Sequence, residues 1–173
     1  MTLCSRLGLI GCVLVLFTGS APLPVPVSEK LLLADDPLPL LSAYHLYADV
    51  KTKTPNPQLG PYALSTALFS DYALKQRYVY IPQGKSVAYS TDGVLNFPVG
   101  TVLVKSFAYP ADMRLPDSNL RVLETRLLIR KAAGWEARPY VWNADGSDAV
   151  LKRTGTRMDV NWIHTDSLMH QIN

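Results

Sequence analysis

The sequence predicts a mainly β protein, an antiparallel β-sandwich or open barrel preceded by a short N-terminal helix. Three observations predict it. The tract from Phe97 to Leu151 holds three apolar, β-branched runs (FPVGTVLVKSFAYP, ETRLLIR, GWEARPYVW) separated by Pro, Gly and Asp punctuation. That is the pattern of strands on a common sheet. Further short runs recur about every 10 to 15 residues without helical stretches between them, as in antiparallel sandwiches. Finally, 173 residues with 48% hydrophobic and 18% charged side chains suit one domain with a real core and exclude wholesale disorder.

Residues 1–21 read as a signal peptide. Arg6 supplies the positive flank, Leu7 to Phe17 the apolar run, and Thr18-Gly19-Ser20-Ala21 the small-residue exit, with cleavage expected after Ser20 or Ala21. The run is shorter than a membrane span of roughly 20 residues, although an uncleaved anchor is the competing reading. Leu9-Ile10-Gly11-Cys12 resembles a lipoprotein cleavage box. Its cysteine precedes the better apolar run, Val13 to Phe17, so lipidation at Cys12 is the less favoured route to a membrane. Both cysteines, Cys4 and Cys12, lie in this segment, so a chain cut near residue 20 has no thiol for a disulfide, a nucleophile or a zinc–sulfur site.

Residues 22–39 form a Pro-rich spacer, within which Ser28 starts one helical turn that Asp35-Asp36-Pro37 stops. Residues 40–173 are expected to form a single β-rich domain. Leu41 with Tyr44, and Leu40 with Tyr47, predict a short helix over Leu40 to Asp49. Thr52 to Pro61, with three prolines and a glycine, predicts a loop. Strands are expected at Arg77–Ile81, Val87–Tyr89, Thr101–Phe107, Leu123–Arg130, Trp135–Trp142, Val150–Lys152 and Met158–Ile163. Lys131-Ala132-Ala133-Gly134 has hairpin length, and Gly100 reads as a turn glycine entering a strand. The final strand is expected to be incomplete if the sheet closes beyond Asn173.

Reacting groups are scarce. Of the three histidines, His45 falls on the expected helix, and His164 and His170 match no compact zinc spacing. They read as surface or hydrogen-bonded side chains, with His164 the one candidate haem or copper ligand. Asn143, Asp145 and Asp148 cluster hard oxygen donors that suggest calcium. They lack the full alternating acidic loop, and Asp-Gly at a strand tip is ordinary turn chemistry. Glu124, Arg126 and Arg130 share a strand face and, with Lys105 on a neighbouring strand, could grip a carboxylate or a haem propionate. The competing reading is a solvated face whose ion pairs contribute little. Trp135, Tyr140, Trp142 and Trp162 read as packing aromatics. No nucleophile elbow, Walker or dinucleotide pattern is present. A net charge of +3 without a basic block excludes a nucleic-acid partner.

The order Pro61-Tyr62-x-Leu64, Leu68-Phe69-Ser70-Asp71-Tyr72-Ala73-x-Lys75-x-Arg77 and Phe97-Pro98-Val99-Gly100-Thr101-Val102-x-Val104-Lys105 resembles the N-terminal β-rich region of a bacterial secreted c-type cytochrome family. The likeness continues through Glu124-Thr125-Arg126-Leu127-Leu128 and Tyr140-x-Trp142-Asn143 to Ser147-Asp148-Ala149, and covers the chain from about Tyr44 onward. In that family the stretch matching Trp162-Ile163-His164 is followed by a Cys-x-x-Cys-His haem site. This sequence ends at Asn173, before such a site. The resemblance therefore implies haem c for the missing half and no cofactor within this chain. It implies a non-enzymatic periplasmic or secreted module that docks or scaffolds a cytochrome or dehydrogenase. Two alternatives stay open: a redox enzyme or electron carrier holding haem or a metal non-covalently, and a truncated gene fragment without independent function.

Overall fold

The computed structural model describes residues 23–172. The expected signal peptide and both cysteines lie outside the described residues. A helix, α1 (Glu29–Leu33), and a 3-10 turn (Leu41–Tyr44) precede the strands. The first four strands are β1 (Tyr47–Asp49), β2 (Thr54–Pro55), β3 (Leu59–Pro61) and β4 (Leu74–Tyr80). The long central strands are β5 (Val102–Tyr109), β6 (Arg121–Lys131) and β7 (Gly134–Trp142). Three short ones follow: β8 (Ala149–Leu151), β9 (Val160–Ile163) and β10 (Met169–Ile172).

Strands β3 to β8 form one antiparallel meander, each beside its neighbour in sequence, with β3 at one edge and β8 at the other, where Leu40 bridges Val150 and the Leu151 N–H bonds the Pro39 carbonyl. The fold is mainly β and open, not a closed barrel. Burial alternates along β5, with Val102, Val104 and Ser106 inward and Leu103, Lys105 and Phe107 outward. This period of two follows from strand geometry. The β6–β7 hairpin closes at Lys131 opposite Gly134, where Gly134 takes a positive φ of 140° that side chains resist. Strand β8 leaves the sheet after Leu151. The Lys152 N–H still reaches the Pro139 carbonyl at 3.0 Å, but Pro139 has no N–H to return.

The inward face carries Val102, Val104, Leu127, Ile129, Tyr140 and Trp142 and packs against Val27, Leu32, Leu41, Tyr44, Leu46 and Tyr47. The segment expected as a spacer thus contributes Val27 and Leu32 to the core. Arg138 fastens it there. Its side chain is 1% exposed and donates to the Tyr44 hydroxyl at 2.9 Å, the Ala34 carbonyl at 2.7 Å and Glu136 at 2.6 Å. A second polar chain links Tyr47, Ser106, Thr125 and the Trp142 indole N–H at 2.7–3.0 Å, so these buried hydroxyls and the indole are paired.

A bulge sets Phe107 opposite Glu124 but Ala108 opposite Val122, leaving Leu123 unpaired. Leu123 then joins Tyr109, Val160 and Trp162 in a second apolar cluster. That cluster docks the β9–β10 hairpin.

Several element expectations change. The Leu40–Asp49 helix is only the 3-10 turn, because His45 adopts a left-handed φ of 56° and ends it, and Tyr47 then begins β1. The expected loop 52–61 holds β2 and β3, which pair with β1 and β4. Val87–Tyr89 is reduced to one bridge between Ala88 and Asn96. Strand β10, which pairs with β9, had no counterpart in the expected set.

Candidate functional site

Three strands bring the charges together. Register places Arg77 on β4 opposite Lys105 on β5, and Lys105 opposite Arg126 on β6, a row of three cations across the outward face. The next row holds Lys75, Phe107 and Glu124. Neighbouring strands lie about 4.8 Å apart, and like charges directly opposite one another destabilise a sheet.

Local contacts soften this only in part. Arg126 donates from Nε and Nη2 to the two oxygens of Glu124 at 2.8 and 2.9 Å, a bidentate pair. Phe107 lies between the remaining charges, with the Lys105 ammonium and the Arg126 guanidinium each 4.9 Å from its ring centre. The Lys105 ammonium is held below the ordinary lysine range, first by burial and then by Arg126, Arg77 and Lys75, with Glu124 opposing. The site is a cationic strip around a half-buried aromatic ring, with one carboxylate to offset it. It can accept anionic groups; it presents no nucleophile paired with a base.

Beside the strip runs a groove of about 430 Å³. Ala137, Pro139 and Val141 of β7 line it together with Met158 from the segment beyond β8. Lys152 and Arg153 extend the positive rim along it.

The other candidates fall elsewhere. Arg130 shares the outward face but sits opposite Trp135, with its guanidinium 6.0 Å from the indole centre. Tyr140, Trp142 and Trp162 are buried, as packing aromatics should be, whereas Trp135 is 41% exposed and meets Phe97 edge-on. Asn143, Asp145 and Asp148 lie in the β7–β8 turn, and both aspartates serve its hydrogen bonds. Asp145 accepts from the Ser147 N–H at 2.9 Å, and Asp148 from Ser42 and the Ala149 N–H. The Lys53 ammonium reaches the Gly146 carbonyl at 2.7 Å beside them and lies 4.4 Å from the centre of the Trp142 ring. That carbonyl of the turn is thus already taken by an ammonium. Among the described residues, no group of three or more His, Cys, Asp or Glu side chains is placed to hold a metal ion.

His164 lies away from the strip, just beyond β9, with its ring centre 4.6 Å from that of His170 and the two planes tilted by 45°. Sequence reading identified Lys105, Arg126 and Glu124 from alternation. It missed Arg77, Lys75, Lys152 and Arg153, whose place depends on strand register. The alternation in Arg77-Tyr78-Val79-Tyr80, with its tyrosines inward, was the available signal for Arg77. No family model, no curated protein and no solved structure matches the chain.

Proposed function

We propose that this chain is a non-enzymatic docking module whose open sheet face receives an acidic protein surface. The observation that supports it is the row Arg77–Lys105–Arg126, in which three cations share one neighbouring carboxylate, Glu124. Such a row works against folding and is relieved when a partner supplies carboxylates. Phe107 gives the contact an apolar centre, and aromatic and Arg side chains are what recognition surfaces favour.

The resemblance to the β-rich region of secreted c-type cytochromes supports the partner class: a periplasmic cytochrome or dehydrogenase of a redox system, met outside the cytoplasm. In this reading the chain positions a redox partner and carries no reacting group of its own.

The test is binding of the purified chain to an acidic c-type cytochrome, followed by calorimetry at low ionic strength and again above roughly 0.15 M, where charges a Debye length apart are screened. Binding at low salt that weakens with salt, and falls about tenfold (1.4 kcal/mol) in Lys105→Glu, is the expected result. Salt-independent binding, or binding unchanged by Lys105→Glu and Arg77→Glu, sinks the reading. A stoichiometric Soret band in chain purified from a periplasm would favour the haem-carrier alternative instead.

A further inference from the structure

We propose that His164 and His170 form a two-imidazole site for a borderline divalent transition metal, copper(II) ahead of nickel(II) and zinc(II), with Asp166 orienting His170. The site shares no residue with the cationic strip and does not depend on the docking reading.

The β9–β10 hairpin builds it. The His164 N–H donates to the Leu168 carbonyl at 2.8 Å and the Ser167 N–H to the His164 carbonyl at 2.9 Å, closing a tight turn. Ser167 accepts the left-handed φ of 66° that this turn needs. Register sets Trp162 opposite His170. His164 lies two residues beyond Trp162, so strand alternation puts both imidazoles on the Trp162 face. Their ring centres stand 4.6 Å apart. Two imidazoles sharing an ion at about 2.0–2.1 Å per nitrogen have ring centres roughly 4.5–5 Å apart. The hairpin already holds that spacing.

Hydrogen bonds fix which nitrogens are free. Asp166 accepts from the Leu168 N–H at 2.9 Å through one carboxyl oxygen. Its other oxygen lies 3.0 Å from His170 Nε2, and with that nitrogen donating to it His170 Nδ1 keeps its lone pair. A carboxylate on the far nitrogen is the arrangement that fixes the tautomer and raises the basicity of a metal-binding histidine. The Trp162 indole can only donate, so His164 Nδ1, which accepts from it at 3.3 Å, also keeps a lone pair. That contact is long and gives way readily.

The donor set selects the ion. Neutral imidazole nitrogen favours copper, nickel and zinc over calcium and magnesium, with copper(II) first in the stability order. Two protein ligands leave the remaining positions to water, so the ion is exchangeable. The Tyr72 ring, 4.7 Å from His164 and edge-on to it, walls one side.

Titration of the full chain with copper(II) chloride tests this, followed by tryptophan fluorescence, since Trp162 adjoins both rings, and by electron paramagnetic resonance. Saturable one-to-one binding with hyperfine structure from two imidazole nitrogens is expected. His164→Gln and His170→Gln should each weaken it at least about tenfold, and Asp166→Asn by about tenfold. His45→Gln should leave it unchanged. Far-UV circular dichroism checks the fold of each variant. Should a variant unfold, the wild-type NMR ring signals of His164 and His170 decide, since they should broaden before those of His45. Wild-type affinity in a folded His164→Gln/His170→Gln chain, uniform broadening of all three histidines, or no saturable binding overturns the site.

Discussion

Lys105 lies directly opposite Arg126 on the adjacent antiparallel strand, on the outward face of the sheet. Each is attracted to the same Phe107 ring and repelled by the other. Replacing Lys105 by methionine keeps the stem that covers the sheet and removes one charge from the row. Lys105→Met should therefore raise stability at neutral pH by about 0.2–1 kcal/mol, the size of a cross-strand pair, measured by urea unfolding, while weakening binding of an acidic partner. The sign with pH follows from the lowered folded-state pKa of Lys105. Between that value and the ordinary lysine pKa the unfolded chain binds more protons, so stability rises with pH there. Lys105→Met should lack that rise.

Arg138 offers the opposite case, a cation whose environment is built for it. It is 1% exposed and joins Glu136, Tyr44 and the Ala34 carbonyl. Arg138→Ala removes a donor from three acceptors at once, and although Lys131 still serves Ala34 and Glu136, losing such charge-assisted hydrogen bonds costs about 1.5–3 kcal/mol. Chemical denaturation should show that loss. Protease cutting within residues 27–38 should become faster, because Arg138 fastens that segment to the sheet. A variant as stable as the wild type would refute the role.

Most of the large sheet was legible because strands β5 to β7 are long and alternate cleanly. Strands of two to four residues carry too few side chains to show a period, so β2, β3 and β10 vanished into Pro, Gly and polar sequence. Leu41 and Tyr44 do share a face, as helical spacing implied, and both are buried. Their turn stops at His45 because tertiary packing takes Tyr47 into a strand. Lys105 and Arg126 could be placed on the outward face from alternation alone. That Arg77 completes their row depends on register, which one strand's sequence does not encode. His164 and His170 are six apart in sequence and adjoin only because a hairpin turn lies between them.

Thr125 tests the second polar chain of the core. Its hydroxyl oxygen accepts the Trp142 indole N–H at 2.9 Å and pairs with Ser106 at 2.7 Å. Thr125→Val keeps the shape and strands a buried indole N–H. A loss of about 1–3 kcal/mol is expected, read as a lower urea midpoint at unchanged slope. Thr125→Ser, which keeps the hydroxyl, should lose less.

Gly100 is a backbone requirement. It holds a φ of 94°, and a Cβ there would stand 2.9 Å from both the Glu29 carboxylate and the Pro82 ring. Its N–H also bonds the Arg130 carbonyl at 2.9 Å, registering the start of β5 against the end of β6. Gly100→Ala combines backbone strain with a steric conflict, so a loss of about 1–3 kcal/mol is expected. Thermal melting of the variant measures it, and an unchanged melting temperature contradicts this conformation.

Glu136 sets an acid limit on the fold. Its carboxyl is held below the ordinary value of 4.5, chiefly by the hydrogen bond from Arg138 and less by the charges of Arg138 and Lys131, with burial opposing. A depressed folded-state pKa contributes stability that is fully present above the unfolded value. That contribution disappears as pH falls through the folded value, because the folded chain must then take up a proton that the unfolded chain already holds. Wild-type stability should fall on acidification below about 4.5. Glu136→Gln should be less stable than wild type at neutral pH, with the gap narrowing as the pH drops through that window. Urea midpoints of both proteins across the acid range measure the gap, and a constant difference would show that the Arg138 pairing does not depend on the Glu136 charge.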